Sequence, residues 1–337
     1  MEKKKKARNL ENILIQERSE RQKDNARLND DIHRLRKELE DAKRRVSVLA
    51  DRLAHEQTIR YRAVQEVVKV KPQTNSHIPK LDNSQLVDMN KTLGTGTFAR
   101  VRVYQLQEEQ VAVKICTKNP AKLTTVDLNA SIIREANMMI SFRPHPNIVH
   151  FRGYVQDVGH LRNSISTGIS LVMDYVPGKS LWTLIKMASK DHRKRELHPW
   201  RNIMKDAADG LNFLHEMGIL HNDIKEDNIL IRQADNRPVI IDFGKATFRD
   251  NPTWKKYELS DEEEIKEWQN DYPWIAPELL EDKVEPSILT DSYSFGFVCC
   301  SVYEKTRSKD ERLKSVWECL LRSHDRLTLL AVMHLLQ

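Results

Sequence analysis

Two short stretches of the chain pair residue types with spacings that can do chemistry. In Leu93-Gly94-Thr95-Gly96-Thr97-Phe98-Ala99-Arg100-Val101, glycines sit in a turn flanked by β-favouring residues. Without side chains there, backbone can approach a bulky anion, and the amides of a tight turn can face a phosphate. The same composition also suits a plain hairpin. It is not a Walker A loop, because no Gly-Lys-Ser/Thr follows, and it lacks the third glycine and ensuing helix of a dinucleotide fingerprint. The second stretch, Val111-Ala112-Val113-Lys114, reads as an alternating strand ending in a lysine. Twenty-one residues later Glu135 lies in the helix-like segment 131–139. A lysine and a glutamate on separate elements can form an ion pair that fixes one element against the other. An isolated strand lysine is equally at home in solvent.

Further signatures follow in order. Leu171 to Gly178 (LVMDYVPG) is an apolar strand running into a Pro-Gly turn. His221 to Asn228 (HNDIKEDN), Asp242-Phe243-Gly244, Ala276-Pro277-Glu278, Asp291 to Gly296 (DSYSFG) and Asp325 to Thr328 (DRLT) come after it. Together with the glycine turn and the Lys114/Glu135 pair, they resemble the eukaryotic protein kinases over roughly residues 87–337. Each fragment alone is modest; their joint order and spacing is specific.

The resemblance implies roles, and phosphoryl transfer says why those residue types are needed: it demands positioning and charge neutralisation, with little covalent work. Lys114, oriented by Glu135, would hold the α- and β-phosphates of ATP. Gly94 and Gly96 would cover the phosphates, Val101, Ala112 and Leu230 would sandwich adenine, and Asp174 and Val176 would offer it backbone groups. Asn228 and Asp242 would hold Mg²⁺, for which hard oxygen ligands are suited. Asp223 would take or orient the acceptor's proton, and Lys225 would neutralise the transferring phosphate. A lysine at 225 resembles serine/threonine kinases. Met139, Phe151, His221 and Phe243 match the apolar stack linking the two lobes, and Met173 would guard the pocket behind adenine.

Four departures from the family pattern stand out. Ala99 replaces the third glycine of the loop but stays small. Asn222 replaces the arginine that usually precedes the catalytic aspartate and reads a phosphate on the activation segment, so activity is expected not to need that phosphorylation. The residues before Ala276 lack the usual threonine; Asp271 sits near its place. Asp291 to Arg326 spans only 35 residues, so the region near 304–315 looks abridged. Glu278 and Arg326 could still form the family's buried ion pair.

These residues need a scaffold to converge. The implied fold class is α+β: a bilobal protein kinase fold with a small β-rich lobe at about 87–173 and a large helical lobe at about 178–337, preceded by a long coiled-coil helix. That arm is legible from its own pattern. Leu28, Ile32, Leu35, Leu39, Ala42, Val46, Leu49 and Leu53 alternate spacings of four and three, which puts all eight on one helical seam. Charged and polar residues interrupt the seam on both sides. Residues 1–71 hold 20 Lys/Arg against 13 Asp/Glu, starting with the Lys3–Lys6 cluster, whereas the other residues hold 35 against 36. The basic balance therefore belongs to the arm. Residues 72–86, polar with Pro72 and Pro79, read as a linker.

The chain has 337 residues, 39% hydrophobic and 31% charged. No run of about 20 apolar residues exists, which excludes a polytopic membrane protein. Ten glycines and twelve prolines are too few for a collagen-like chain. Cys116, Cys299, Cys300 and Cys319 show neither a disulfide framework nor metal-ligand spacing. An intracellular, cytoplasmic location is expected. The expected partners are protein substrates and a second copy joined through the arm, with no nucleic acid and no transmembrane segment. The expected activity is transfer of the ATP γ-phosphate to protein Ser/Thr hydroxyls. The alternative is a pseudokinase or coiled-coil scaffold that binds nucleotide or partners without turnover.

Overall fold

The computed structural model describes residues 34, 78–96, 99–116, 125–156, 168–250, 262–281, 284–322 and 326–337. All but Arg34 belong to the second of the chain's two compact units, Val67–Gln337. The leucine seam of the arm lies outside the described residues.

Five strands build the first layer: β1 (Leu86–Thr95), β2 (Ala99–Leu106), β3 (Glu109–Cys116), β4 (Phe151–Gln156) and β5 (Ile169–Asp174). They form one antiparallel sheet in the order β1-β2-β3-β5-β4. The alternation in β3 works as its sequence requires. Val111, Val113 and Ile115 point to one side and pack with Tyr104, Val155 and Val172. Ala112 and Lys114 therefore project from the other side. Helix α1 (Thr125–Ile140) contacts β4 and β5. Ile132, Ala136 and Met139, spaced four and three apart, are buried, and Glu135 is buried beside them at 5% exposure. A carboxylate on an apolar helix face demands a charged partner.

The chain then passes through residues 175–177 into β6 (Gly178–Ser180), which pairs with β8 (Ile229–Arg232), itself paired with β9 (Pro238–Ile240). Gly178 is obligatory here: a Cβ would lie 2.0 Å from the Ile231 carbonyl oxygen. A second small ladder joins β7 (Ile219–Leu220) to β10 (Thr247–Phe248). The remaining elements are helical: α2 (Leu181–Lys190), α3 (His192–Glu196), α4 (Trp200–Glu216), α5 (Glu262–Asp271), α6 (Pro277–Leu280), α7 (Ile288–Thr306), α8 (Glu311–Leu320) and α9 (Leu329–Leu335). In α4, Ile203, Met204, Ala207, Ala208, Leu211 and Leu214 recur at helical spacing and are wholly buried. Full burial of each such leucine or isoleucine contributes about 2 kcal/mol.

Helix α7 is the post around which the second lobe packs. Its start is set by a capping box in which Ser287 N–H donates to Thr290 Oγ1 and Thr290 N–H donates to Ser287 Oγ. Phe295, Val298, Cys299 and Val302 are buried within one apolar core that also holds Met139, Met173, Leu211 and Phe243. Cys299 is thus a packing residue. After α7, Arg307 turns the chain with φ 52°, and three further residues lead into α8. The abridged stretch is therefore a tight helix–helix connection. Among the described residues no helix is long and apolar enough to cross a membrane.

Glu278 and Arg326 meet as the sequence allowed. Arg326 donates from Nη1 to Glu278 Oε1 at 2.5 Å and to the Leu289 carbonyl at 2.9 Å, its side chain only 4% exposed. Arg326→Met would leave Glu278 without its cation. It is expected to lower unfolding free energy by about 3 kcal/mol, read as a shift in the urea midpoint.

Candidate active site

The first group of polar side chains forms where β3, α1 and the loop after β9 meet. Lys114 Nζ donates to Glu135 Oε1 and Oε2, each at 2.8 Å, and to Asp242 Oδ1 at 2.8 Å. The Lys114 side chain is 17% exposed and Glu135 5%. Burial alone would strip the proton from Lys114, but the two carboxylates outweigh it and raise its affinity for the proton. Asp242 is shifted the other way: burial pushes its carboxyl up, yet Lys114 holds it below the ordinary value. Gly244 lets the main chain close on this cluster, since a Cβ there would sit 3.3 Å from Asp242 Oδ1 and 3.9 Å from Lys114 Nζ.

The second group lies on the loop after β7. Asp223 accepts from Lys225 Nζ at 3.0 Å and Asn228 Nδ2 at 2.9 Å on Oδ2, and from Lys245 Nζ at 2.9 Å on Oδ1. Burial again favours protonation of Asp223, and Lys245 and Lys225 overcome it, so the carboxyl titrates below its usual value. Lys225 also lies over the Trp274 ring, 5.5 Å from its centroid. Asn228 donates a second bond to the Asp223 carbonyl at 2.8 Å. Its amide nitrogen is thus committed to Asp223, and the oxygen is the atom left for another partner. The groups are tied together by main chain: Ile241 N–H donates to the Asn228 carbonyl at 2.9 Å.

The loop itself hangs from α7. Asp291, 1% exposed, accepts from His221 N–H at 2.8 Å and Asn222 N–H at 2.8 Å, and its Oδ2 lies 3.0 Å from His215 Nε2. Asn222 takes φ 61° and Asp242 φ 68°, a left-handed backbone that Asn and Asp accept more readily than most residues. The Asn222 side chain donates to the Lys245 carbonyl at 3.1 Å and to Thr247 Oγ1 at 2.9 Å. The residue standing in the arginine's place therefore holds the segment after Asp242 by neutral hydrogen bonds. His221 and Phe142 each pack on Phe243, with ring centroids 5.2 Å away. Met139 is buried in the same core and Phe151 packs against it.

The remaining candidates line up by strand register. Val101 on β2 is opposite Gly94 and Lys114, and Ala112 on β3 is opposite Met173. Leu230 sits on β8 opposite Val239. Asp174 ends β5, where its N–H donates to the His150 carbonyl at 2.9 Å, and Val176 packs against the main core. Among the described residues, a Cβ on Gly94 would meet nothing within 4 Å.

The model of the family described as protein kinase domain matches residues 87–323. The chain belongs to this family. Similar proteins include a mitogen-activated protein kinase kinase kinase of Cytospora mali, 28% identical over 254 residues. Inhibitor of nuclear factor kappa-B kinase subunit alpha of Xenopus tropicalis is 29% identical over 213 residues and the beta subunit of Bos taurus 30% over 216. These alignments cover 72% of this chain for the first and 62% for the other two, but only 13% and 26% of those proteins. The chain thus spans no more than about a quarter of their length.

For a protein kinase domain, the sequence reading found the residues that carry charge and overlooked those that hold them. Lys114, Glu135 and Asp242 come together directly, as do Asp223, Lys225 and Asn228. Lys245 and Phe142 were not singled out, nor was Trp274 as a seat for Lys225. Asp291 was seen only as part of a motif. A lysine immediately after Asp242-Phe243-Gly244 was a signal available for Lys245.

Proposed function

We propose that this protein kinase domain transfers the γ-phosphoryl group of ATP to serine and threonine hydroxyls of proteins, with Mg²⁺ as its metal. The observation carrying this reading is the joining of two polar groups, Lys114–Glu135–Asp242 and Asp223–Lys225–Asn228, by the Ile241–Asn228 main-chain bond. In the proposed step the acceptor oxygen bonds to the γ-phosphorus, the bond to the β,γ-bridging oxygen breaks, and ADP departs. Asp223 receives the hydroxyl proton, and Lys225 and Lys114 balance phosphate charge. Gly94 and Gly96 cover the phosphates, while Val101, Ala112, Leu230, Asp174 and Val176 form the adenine slot.

The donor set suits Mg²⁺. Asp242 would supply a carboxylate oxygen and Asn228 an amide oxygen, the hard donors that Mg²⁺ prefers. When bound, the ion neutralises phosphate charge. Residues 1–71 are proposed as a parallel coiled-coil arm that brings two kinase domains (87–337) together through the linker 72–86, raising their effective concentration.

A second reading, nucleotide or partner binding without turnover, is favoured by the short α7–α8 connection and by Asn222. One assay separates the two. Label from γ-labelled ATP on a library of Ser, Thr and Tyr peptides is expected on Ser and Thr, with Lys114→Met at least about 100-fold slower. Equal labelling by both proteins eliminates the enzymatic reading, and labelling confined to Tyr eliminates the acceptor assignment. Light scattering on the full chain is expected to give a dimer that Leu35→Glu reduces to a monomer.

A further inference from the structure

We infer that Lys245 is a positioning residue that competes with the acceptor hydroxyl for Asp223, so that the acceptor must displace it before reacting. This inference rests on the kinase reading above. Asp223 is 6% exposed, and its oxygens are not equivalent. Oδ2 is held from within by Lys225 and Asn228. Oδ1 receives Lys245 Nζ at 2.9 Å. Lys225 is 25% exposed and rests on Trp274, whereas Lys245 is 61% exposed. The ammonium on Oδ1 therefore reaches Asp223 from the solvent side, by which an acceptor would also come. While it donates there, it uses the oxygen that would take the hydroxyl's hydrogen.

The anchoring of residue 245 separates backbone from side chain. Its carbonyl is held by Asn222 Nδ2, so the main chain stays in place while four methylenes let the ammonium swing out. The ammonium, on a side chain that is 61% exposed, is hydrated as it leaves; a fivefold change in affinity corresponds to about 1 kcal/mol. Lys245 thus acts as a replaceable lid on the base: it leaves nucleotide binding alone and discriminates against acceptors that do not bring a hydroxyl to Oδ1.

The test is steady-state kinetics of the full chain with a degenerate Ser-centred peptide library. Lys245→Ala is expected to lower the acceptor KM about fivefold, with nucleotide KM unchanged. Lys245→Arg, which keeps the cation, stays like wild type. An acceptor KM that is unchanged or raised in Lys245→Ala, or a nucleotide KM that falls in parallel, overturns the proposal. A readout independent of transfer is the NMR signal of the ¹³C-dimethylated lysine, assigned by its loss in Lys245→Arg. It should differ between wild type and Asp223→Asn, and Ser-centred but not Ala-centred peptides with a non-hydrolysable ATP analogue should move it toward the Asp223→Asn position. No difference, or equal movement with both libraries, overturns the proposal. If wild type transfers no label while the signal responds as described, the kinase reading alone falls.

Discussion

Asp223→Asn is expected to reduce phosphoryl transfer by about 10²–10⁴-fold while nucleotide still binds. The substitution is isosteric, so the packing of a side chain that is 6% exposed is retained. The hydrogen bond from the side-chain Nδ2 of Asn228 to the residue 223 carbonyl survives. What is lost is the acceptor for the hydroxyl proton and the anion that holds Lys225 and Lys245 in place. Lys114, Glu135 and Asp242, the residues proposed to bear on the nucleotide, are untouched. Single-turnover label transfer, with nucleotide affinity measured beside it, reads the two effects separately. A rate within tenfold of wild type would remove Asp223 from the chemistry.

Asp291→Ala is expected to be the most destabilising single change, lowering unfolding free energy by about 3–5 kcal/mol. The carboxylate, buried at 1% exposure, accepts from two consecutive backbone amides, His221 N–H and Asn222 N–H, and faces His215. Removing it leaves those amides without a partner in a place water cannot reach. The catalytic loop would lose its link to α7, so transfer should fall with stability. The effect depends on pH with a definite sign. Burial acts to raise the Asp291 carboxyl, but His215 and the neighbouring donors bring it below its ordinary value. A carboxyl depressed in the folded protein stabilises fully above its unfolded pKa, about 3.9, and that contribution disappears as pH falls toward the lower folded value. Urea midpoints from pH 7 to pH 3 should show wild type losing stability in acid more steeply than Asp291→Asn. Matching slopes would refute the assignment.

Both predictions concern residues whose importance was unequally visible beforehand. Asp223, Asn228 and Asp242 stand out because loop chemistry with fixed local spacing survives in a linear string. The alternation around Lys114 is equally local, and period-two burial alone sends Lys114 to the face opposite the small-lobe core. Glu135 was paired with it through the resemblance to protein kinases, and the structure supplies the reason: a buried helix carboxylate needs a cation. Even the Glu278–Arg326 bond was anticipated, through the order of motifs.

Other features were marked weakly or not at all. Lys245 follows Asp242-Phe243-Gly244 directly, but it lies 22 residues from Asp223, and that position alone does not say that an exposed lysine will turn back onto a buried carboxylate. Asp291 reaches across 70 residues to the His221 amide; the DSYSFG motif it opens does not say which amides it will hold. Helix α5, with Glu262, Glu263 and Glu264 in its first turn, lies outside every motif quoted from the sequence.

By itself the sequence determined the strand and helix periods, the turns that require glycine or Asn/Asp, and which charged residues must find partners on burial. These are short-range consequences of backbone geometry and desolvation. Only the tertiary structure decided which distant groups meet: two cations and a side-chain amide on one aspartate, one aspartate under two backbone amides, a lysine seated on a tryptophan. Such pairings depend on how the sheet, α4 and α7 pack, and packing is a property of the whole core rather than of any one segment.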